Sequence, residues 1–307
     1  MDSAFRTTRR EGQASAFTLV ELLVVISLIG VLMFIAVPAF KGFGQSNSIA
    51  AAQQQLRDDL GFARLQAIKN RSPVYMVFLQ PPYGMTPEVF SGELNRIHGQ
   101  LQSLPGATEF DRRFRDIALR EFTNSFAKQF TGYALYTDGS LGEQPGVKRS
   151  RFLTEWRMLP EGTLFPTNGL EVLVPGWAFG PTSPSMVTNL NLRSFPFPVA
   201  PERDSPPMMT NIVIKLPAIA FDAQGRLFNF DGAGRAIGNG TTLADRFVAV
   251  GSGSVQFGRQ VVPKGEPDRF DFTQPADVVE TPRRNYTNQI VRVSALTGRT
   301  KGIKPPE

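Results

Sequence analysis

Apolar and polar positions divide the chain into three parts with different patterns. From Phe17 to Phe40 nearly every position is apolar, and Glu21 is the only charged residue. From residue 41 to Ser72 apolar positions recur every three or four residues, as on one face of an amphipathic helix. From Pro73 onward, short apolar stretches alternate with Gly- and Pro-rich segments, which is typical of strands joined by turns and loops.

The first part is long enough to cross a membrane. At 1.5 Å per residue, a helix over Phe17–Phe40 would span roughly 36 Å, more than the ~30 Å of a hydrocarbon core. The alternative is a buried core helix, but helices of soluble proteins rarely run this long without a polar face. A secretory signal peptide would place small residues after its apolar core, whereas Ala14, Ser15 and Ala16 precede this one. We therefore predict one transmembrane helix over residues 17–40.

The segment SAFTLVELLVVISLIG resembles the type IV prepilin cleavage and methylation motif. In that family a peptidase cuts before a Phe, and a Glu stands five residues into the mature chain. The resemblance implies that a prepilin peptidase removes a leader over residues 1–16 by cutting between Ala16 and Phe17, and that Glu21 serves assembly. Pro38 stands where the family has a helix-bending proline, and Ala16 replaces the family's usual Gly.

Glu21 has a physical reason to serve assembly. A carboxylate within an apolar helix costs about 2.5–3.5 kcal/mol near the bilayer centre. A lone anchor gains nothing from this cost, but Glu21 in a bundle of subunits could pair with the ammonium at Phe17 of a neighbour and set the axial register. The alternative is a Glu tolerated at the membrane interface. Arg6, Arg9 and Arg10 precede the helix, so the positive-inside rule predicts a cytoplasmic leader and a periplasmic remainder on the inner membrane.

The second part predicts that the helix continues over residues 41–72 and packs on a sheet. It should end near Ser72, because the residue before Pro73 disfavours helix. The residues of its apolar face are spaced three or four apart and are Ala52, Leu56, Leu60, Ala63 and Ala67. The predicted fold class is therefore α+β and pilin-like: one long N-terminal helix, with a transmembrane half and an amphipathic half, packed on an antiparallel β-sheet domain.

The third part, residues 73–307, is predicted to be an extracytoplasmic β-rich domain with insertions at 80–130 and 180–210. Residues 80–108 are interpreted as a loop that carries a solvated His98, and 109–130 as an extra helix with an apolar residue at every fourth position. That helix either lies across the domain's own sheet or docks another subunit. Residues 180–210 are interpreted as a Pro-rich loop and 263–288 as a polar linker.

Several further segments resemble families with prepilin-like N-termini. FARLQAIKNRSPVYMVF, AFDAQGRLFNF and IVRVSALTGRTKG resemble the H-type minor pseudopilins and their FimT-like relatives. YTDG and RMLPEGTLF are similar to the D component of the Verru_Chthon cassette. These resemblances imply a minor pilin or pseudopilin of a type II secretion or type IV pilus-like assembly, whose partners are other prepilin-like subunits.

Composition excludes several kinds of active site. The chain has no cysteine and one histidine, which excludes disulfides, thiolate zinc sites, Fe–S clusters and multi-histidine metal sites. There is no Gly-x-Ser-x-Gly motif. Carboxylate pairs could still support a glycosidase, but no spacing singles out one pair. We predict no catalytic residue, no metal and no cofactor, and therefore a protein that is not an enzyme.

Basic residues are concentrated near the C-terminus, where residues 281–307 carry six of them against Glu307 alone. Four of these are candidates for contact with nucleic acid or another polyanion: Arg292, Arg299, Lys301 and Lys304. A pilus-tip subunit for DNA uptake is the alternative function. A solvated tail is the preferred interpretation, because Tyr286 stands alone and no row of stacking aromatics accompanies the charge.

Overall fold

The computed structural model describes residues 19–139, 150–167, 170, 172–174, 186–188, 190–197, 212–237, 244–260, 269–281 and 290–303, without the side chains of 35–46, 172–174 and 186–188. The described helices are α1 (Leu19–Asn70), α2 (Pro87–Gln102) and α3 (Glu109–Phe126). The described strands are β1 (Val74–Phe78), β2 (Gly132–Thr137), β3 (Arg151–Phe152), β4 (Arg157–Met158), β5 (Thr163–Leu164), β6 (Val172–Val174), β7 (Met186–Thr188), β8 (Asn191–Pro196), β9 (Val213–Phe221), β10 (Arg246–Ala249), β11 (Gly251–Gln256), β12 (Arg259–Gln260), β13 (Arg269–Phe270), β14 (Asp277–Thr281), β15 (Ile290–Val293) and β16 (Thr300–Ile303).

The chain divides into two compact units, Met1–Ser46 and Asn47–Glu307. Within the first unit, α1 begins at Leu19, and every side chain described over residues 19–34 is exposed. In the part of the chain that the structure describes, no helix is long and apolar enough to span a membrane.

The second unit is built on a six-stranded antiparallel sheet with β1 at its centre. The strand order is β3-β2-β1-β9-β8, and β4 pairs with the other end of β2. Val74 of β1 lies opposite Thr137 of β2 on one side and Phe221 of β9 on the other. All five residues of β1 are fully buried, so both faces of the sheet are covered.

Alternate residues of β1 face two different layers of helix. Val74, Met76 and Phe78 pack in one cluster with the buried residues of α1. Tyr75 and Val77 pack in a second cluster with those of α2 and α3. Because successive side chains of a strand point to opposite faces, the sheet lies between residues 47–70 of α1 and the α2–α3 pair.

The apolar spacing of α1 marks its buried face. The five residues predicted for that face have no exposed surface, and they are Ala52, Leu56, Leu60, Ala63 and Ala67. The helix ends at Asn70, two residues before the predicted end, and Arg71 follows with a φ of 48°.

The prediction of a loop over residues 80–108 is wrong, because these residues contain α2. The side chain of Thr86 accepts a hydrogen bond from the Val89 amide and caps the helix, and Pro87 occupies its first turn. Phe90 and Leu94 are among its buried residues. His98 therefore stands on a helix rather than in a solvated loop.

The extra helix predicted over 109–130 is α3. It begins with a capping box in which Thr108 and Asp111 bond each other's backbone amides, at 3.0 Å each. Ala118, Phe122 and Phe126 are buried against the domain's own sheet and α2, whereas Phe110 is 68% exposed.

The predicted fold class is wrong. Only residues from Asn47 onward belong to the unit that holds the sheet, and no described helix qualifies as a membrane span. The described strands form five sheets instead of one. Strands also occupy segments predicted as loop or linker, namely β7 and β8 within 180–210 and β13 and β14 within 263–288. Short strands that pair far along the chain leave only a weak periodic pattern.

Candidate assembly surface

The predicted processing and assembly residues are described only in part. Ala16, Phe17 and Lys304 lie outside the described residues. Pro38 belongs to α1, but its side chain is outside the described ones. Glu21 lies in the first turn of α1 and is exposed. A carboxylate near a helix N-terminus interacts favourably with the helix dipole.

The described start of α1 is an apolar helix with no cover. The large apolar side chains of residues 19–34 are between 48% (Ile29) and 84% (Phe34) exposed. Ser27 satisfies its hydroxyl within the helix by donating to the Leu23 carbonyl at 2.8 Å. An apolar surface on every side of a helix is stable only when lipid or other helices cover it.

The packed part of α1 also exposes apolar side chains on its outer face. Phe62 is 38% exposed, Leu65 60% and Ile68 38%. They are spaced three residues apart and fall on the side of the helix away from the buried face. Gly61 adds no side chain beside them, and a Cβ there would meet no other atom within 4 Å. This outer stripe, Phe62–Leu65–Ile68, is open to a partner.

A buried polar network fixes the inner face of α1 to the sheet. Tyr133 of β2 donates its hydroxyl proton to Asp59 at 2.6 Å, and Arg157 of β4 pairs with the other oxygen of that carboxylate. Gln55 donates to the Tyr133 hydroxyl at 2.7 Å. Burial, followed by the bond to Asp59, raises the pKa of Tyr133 above its usual range. The phenol therefore stays protonated and keeps donating to Asp59.

Two glycine turns meet α1 at Arg64. The Arg64 Nε donates to the carbonyls of Thr297 at 2.8 Å and Gly225 at 3.1 Å. Gly225 and Gly298 both have a positive φ, of 76° and 62°. A Cβ on Gly298 would lie 2.1 Å from the Gly225 carbonyl oxygen, and one on Gly225 would lie 2.7 Å from Ile68. Only glycine permits this approach. We call this contact the Arg64 junction.

Comparison with protein-family models, with curated proteins and with solved structures gives no match. Among the described residues, no group of three His, Asp or Glu side chains is placed to hold a metal ion.

The predicted basic tail is, where it is described, a hairpin. β15 and β16 pair antiparallel, with Arg292 opposite Lys301, and β10 continues the sheet. Arg292 forms an ion pair with Asp245 at 2.5 Å. Arg299 and Lys301 are exposed. Of the four predicted polyanion contacts, one is thus engaged within the domain and two present their charge to solvent.

A buried ion pair lies in the core, and the sequence analysis did not predict it. Arg193 of β8 donates to both oxygens of Asp138, at 2.9 and 2.6 Å, and stacks 4.3 Å from the ring centre of Tyr75. Tyr75 also contacts Asp138, at 3.0 Å. Gly234 leaves room for the guanidinium, since a Cβ there would lie 2.4 Å from it. Stacking on an aromatic ring and a bidentate ion pair with a carboxylate are typical of buried arginine.

A repeated sequence pattern forms the Gly225 turn and the Gly234 turn. The pattern Phe-Asp-x-x-Gly-Arg occurs twice, over residues 221–226 and 230–235. In each turn the aspartate oxygen accepts from the arginine amide, at 2.8 Å for Asp222 and for Asp231. The first turn lies against α1 and the second against Arg193. One local structure thus serves two different contacts.

His98 lies between aromatic rings on the other face of the sheet. Its ring centre is 4.4 Å from that of Phe272 and 5.3 Å from that of Phe122. Burial lowers the pKa of His98 below its usual value. The neutral imidazole therefore behaves as one more ring of the cluster.

Proposed function

We propose that this chain is a non-enzymatic minor pilin or pseudopilin subunit of a type II secretion or type IV pilus-like assembly. A prepilin peptidase cuts before Phe17, and the apolar segment 17–40 holds the chain at the inner membrane with its domain in the periplasm. Other prepilin-like subunits then pack laterally against α1. The domain supplies contacts and performs no reaction.

The contrast along α1 carries this proposal. The helix is 52 residues long, its residues 19–34 are apolar and exposed, and its residues 47–70 pack on a sheet. A helix that served only the domain's own core would need no such extension. Glu21 is the one charged residue of this exposed part, and we expect its carboxylate to pair with the ammonium at Phe17 of a neighbouring subunit.

The mature N-terminus tests processing. We expect mass spectrometry of the membrane fraction to find a chain that begins at N-methylated Phe17 when an active prepilin peptidase is present. An intact chain that begins at Met1 in those cells would contradict the proposal.

Crosslinking between neighbouring helices tests assembly. Glu21→Val should be cleaved and inserted as well as the wild type, because it removes an unfavourable transfer term. Its crosslinking to other prepilin-like subunits should fall strongly, since the ammonium at Phe17 of the neighbour loses its partner. Ser27→Val is the matched control, because it also replaces a polar residue of this segment but removes no charge. Equal crosslinking by Glu21→Val and the wild type would rule out the charge-pair mechanism.

A further inference from the structure

The Arg64 junction brings three segments of the domain to one place. They are the last turns of α1, the Asp222–Arg226 turn and the Ser294–Arg299 turn of the β15–β16 hairpin. The amide of Leu227 also donates to the Ala295 carbonyl at 3.0 Å, which joins the two turns directly. The glycines at the contact points allow the two turns and the helix to approach closely, since a Cβ on either one would clash. Hydrogen bonds and close packing therefore connect the three segments at this place.

Large apolar side chains are exposed at this junction. Leu65 follows Arg64 directly and is 60% exposed, Ile68 contacts the Gly225 turn and is 38% exposed, and Leu296 precedes Thr297 and is 75% exposed. A turn residue as exposed as Leu296 gains nothing from being leucine in the isolated domain. Clustered apolar exposure of this kind marks an interaction surface.

The two segments that meet at the junction are rich in basic residues. Residues 60–73 and 294–303 contain no Asp or Glu, and they contribute five cations, Arg64, Lys69, Arg71, Arg299 and Lys301. Among the described residues of the two turns, Asp222 is paired with Arg226 at 2.9 Å, and Asp245, which bonds the second turn, is paired with Arg292 at 2.5 Å. These two segments therefore carry an excess of positive charge beside exposed apolar side chains.

We propose that the Arg64 junction is a docking surface for an acidic amphipathic segment of a partner protein. Apolar side chains of that segment cover Leu65, Ile68 and Leu296, and its carboxylates pair with Arg71, Arg299 and Lys301. The basic residues favour a partner with negative charge, and the exposed aliphatic side chains favour a protein segment with an apolar face. The phosphates of a nucleic acid could pair with the cations, but the aliphatic side chains would stay exposed to solvent. The residues of the junction also include no row of aromatic rings on which bases could stack. This inference does not depend on cleavage before Phe17.

Peptide binding to the full chain in non-ionic detergent tests the proposal. The probe is a fluorescent helical peptide of about five turns with a Leu stripe flanked by Glu, and the control probe has Lys in place of Glu. We expect the Glu peptide to bind, and its affinity to fall with salt, whereas the Lys peptide does not bind above the empty-micelle background.

Two variants at the junction test the two parts of the surface separately. Leu65→Ala with Leu296→Ala, and Arg71→Glu with Arg299→Glu, should each weaken binding by about tenfold or more. The matched controls lie elsewhere on the domain. They are Val279→Ala, at a 50% exposed apolar side chain of β14, and Arg120→Glu, at a 69% exposed side chain of α3. Both should bind as the wild type does.

Three results would overturn the proposal. The first is equal binding of the Glu and Lys peptides. The second is equal loss in the junction variants and the matched controls. The third is tighter binding of oligothymidylate, or of vesicles that contain phosphatidylglycerol, than of the Glu peptide, with the same sensitivity to Arg71→Glu and Arg299→Glu. That result would assign the surface to phosphate groups instead of carboxylates.

Discussion

Residues 19–34 and residues 47–70 of α1 belong to one helix but meet different surroundings. In the first segment every described side chain is exposed, although nearly all of them are apolar. In the second, one face is fully buried on the sheet and the other shows the outer stripe of Phe62, Leu65 and Ile68. Hydrophobicity alone therefore does not say which part of a helix supports a fold. The distribution of apolar residues around the helix axis does.

The largest expected effect is a difference in domain stability between the same substitution made in each of the two segments. Leu56→Ala should lower the free energy of unfolding of the domain by about 2–5 kcal/mol, because it opens a cavity between α1 and the sheet. Leu28→Ala, the same change in the exposed segment, should leave the domain's unfolding unchanged. Urea unfolding of the full chain in detergent, followed by tryptophan fluorescence, measures both. Similar losses in the two variants would mean that the exposed segment also supports the domain.

The next largest effect is a difference in unfolding free energy between substitutions of the two carboxylates, Asp59 and Glu21. Asp59→Ala should cost about 1–3 kcal/mol, because Tyr133 and Arg157 lose their shared acceptor. Glu21→Val should not lower the unfolding free energy of the domain, even where it abolishes crosslinking between chains. The same urea titration measures the two variants. An unchanged midpoint for Asp59→Ala would show that the buried network does not hold α1 to the sheet.

Regular local patterns made part of this fold predictable. The spacing of Ala52, Leu56 and Leu60 indicates the buried face of α1, and the apolar run after Pro73 indicates β1. The stretch from Gly132 to Thr137 likewise indicates β2. In each case the signal lies within a few consecutive residues, where the backbone period decides which side chains share a face.

Elements that depend on distant partners were not predictable in this way. The helix α2 is an exception, because its buried Phe90, Leu94, Ile97 and Leu101 recur every three or four residues and indicate a helix locally. The ion pair between Asp138 and Arg193 joins residues 55 positions apart, and nothing in either local pattern names its partner. The Arg64 junction joins turns that are about 70 residues apart along the chain, so the sequence pattern that indicates the Gly225 turn does not show that this turn meets the Gly298 turn.

A smaller effect should appear on the opposite face of the sheet, under acid. Burial against Phe122 and Phe272 lowers the pKa of His98 in the folded chain below its unfolded value of 6.5. The unfolded chain then binds more protons at low pH, so the contribution of His98 is complete above about pH 6.5 and is lost as the pH falls below it. Thermal unfolding between pH 7 and pH 5 measures this loss. In His98→Gln that part of the pH dependence should disappear. An identical pH profile in the variant would assign the acid sensitivity to other groups.

The smallest effect is expected at the exposed cations beside the packed segment of α1. Thr300 donates to the Arg57 carbonyl at 3.4 Å, which places β16 along this part of the helix. Arg299 and Lys301 are exposed there, so their replacement by Gln should leave the unfolding temperature unchanged. The affinity for DNA at physiological salt should also change little, because phosphate contacts without stacking contribute weakly once counterions screen them. Arg292→Gln should behave differently and lower the unfolding temperature, because Asp245 would lose its ion-pair partner although it still accepts from the Ala295 amide at 2.7 Å.

Fluorescence anisotropy with labelled oligonucleotides over a range of salt measures the DNA affinity. A large loss in the Arg299 and Lys301 variant, together with a reduced salt slope, would favour the DNA-uptake function over docking of an acidic protein segment.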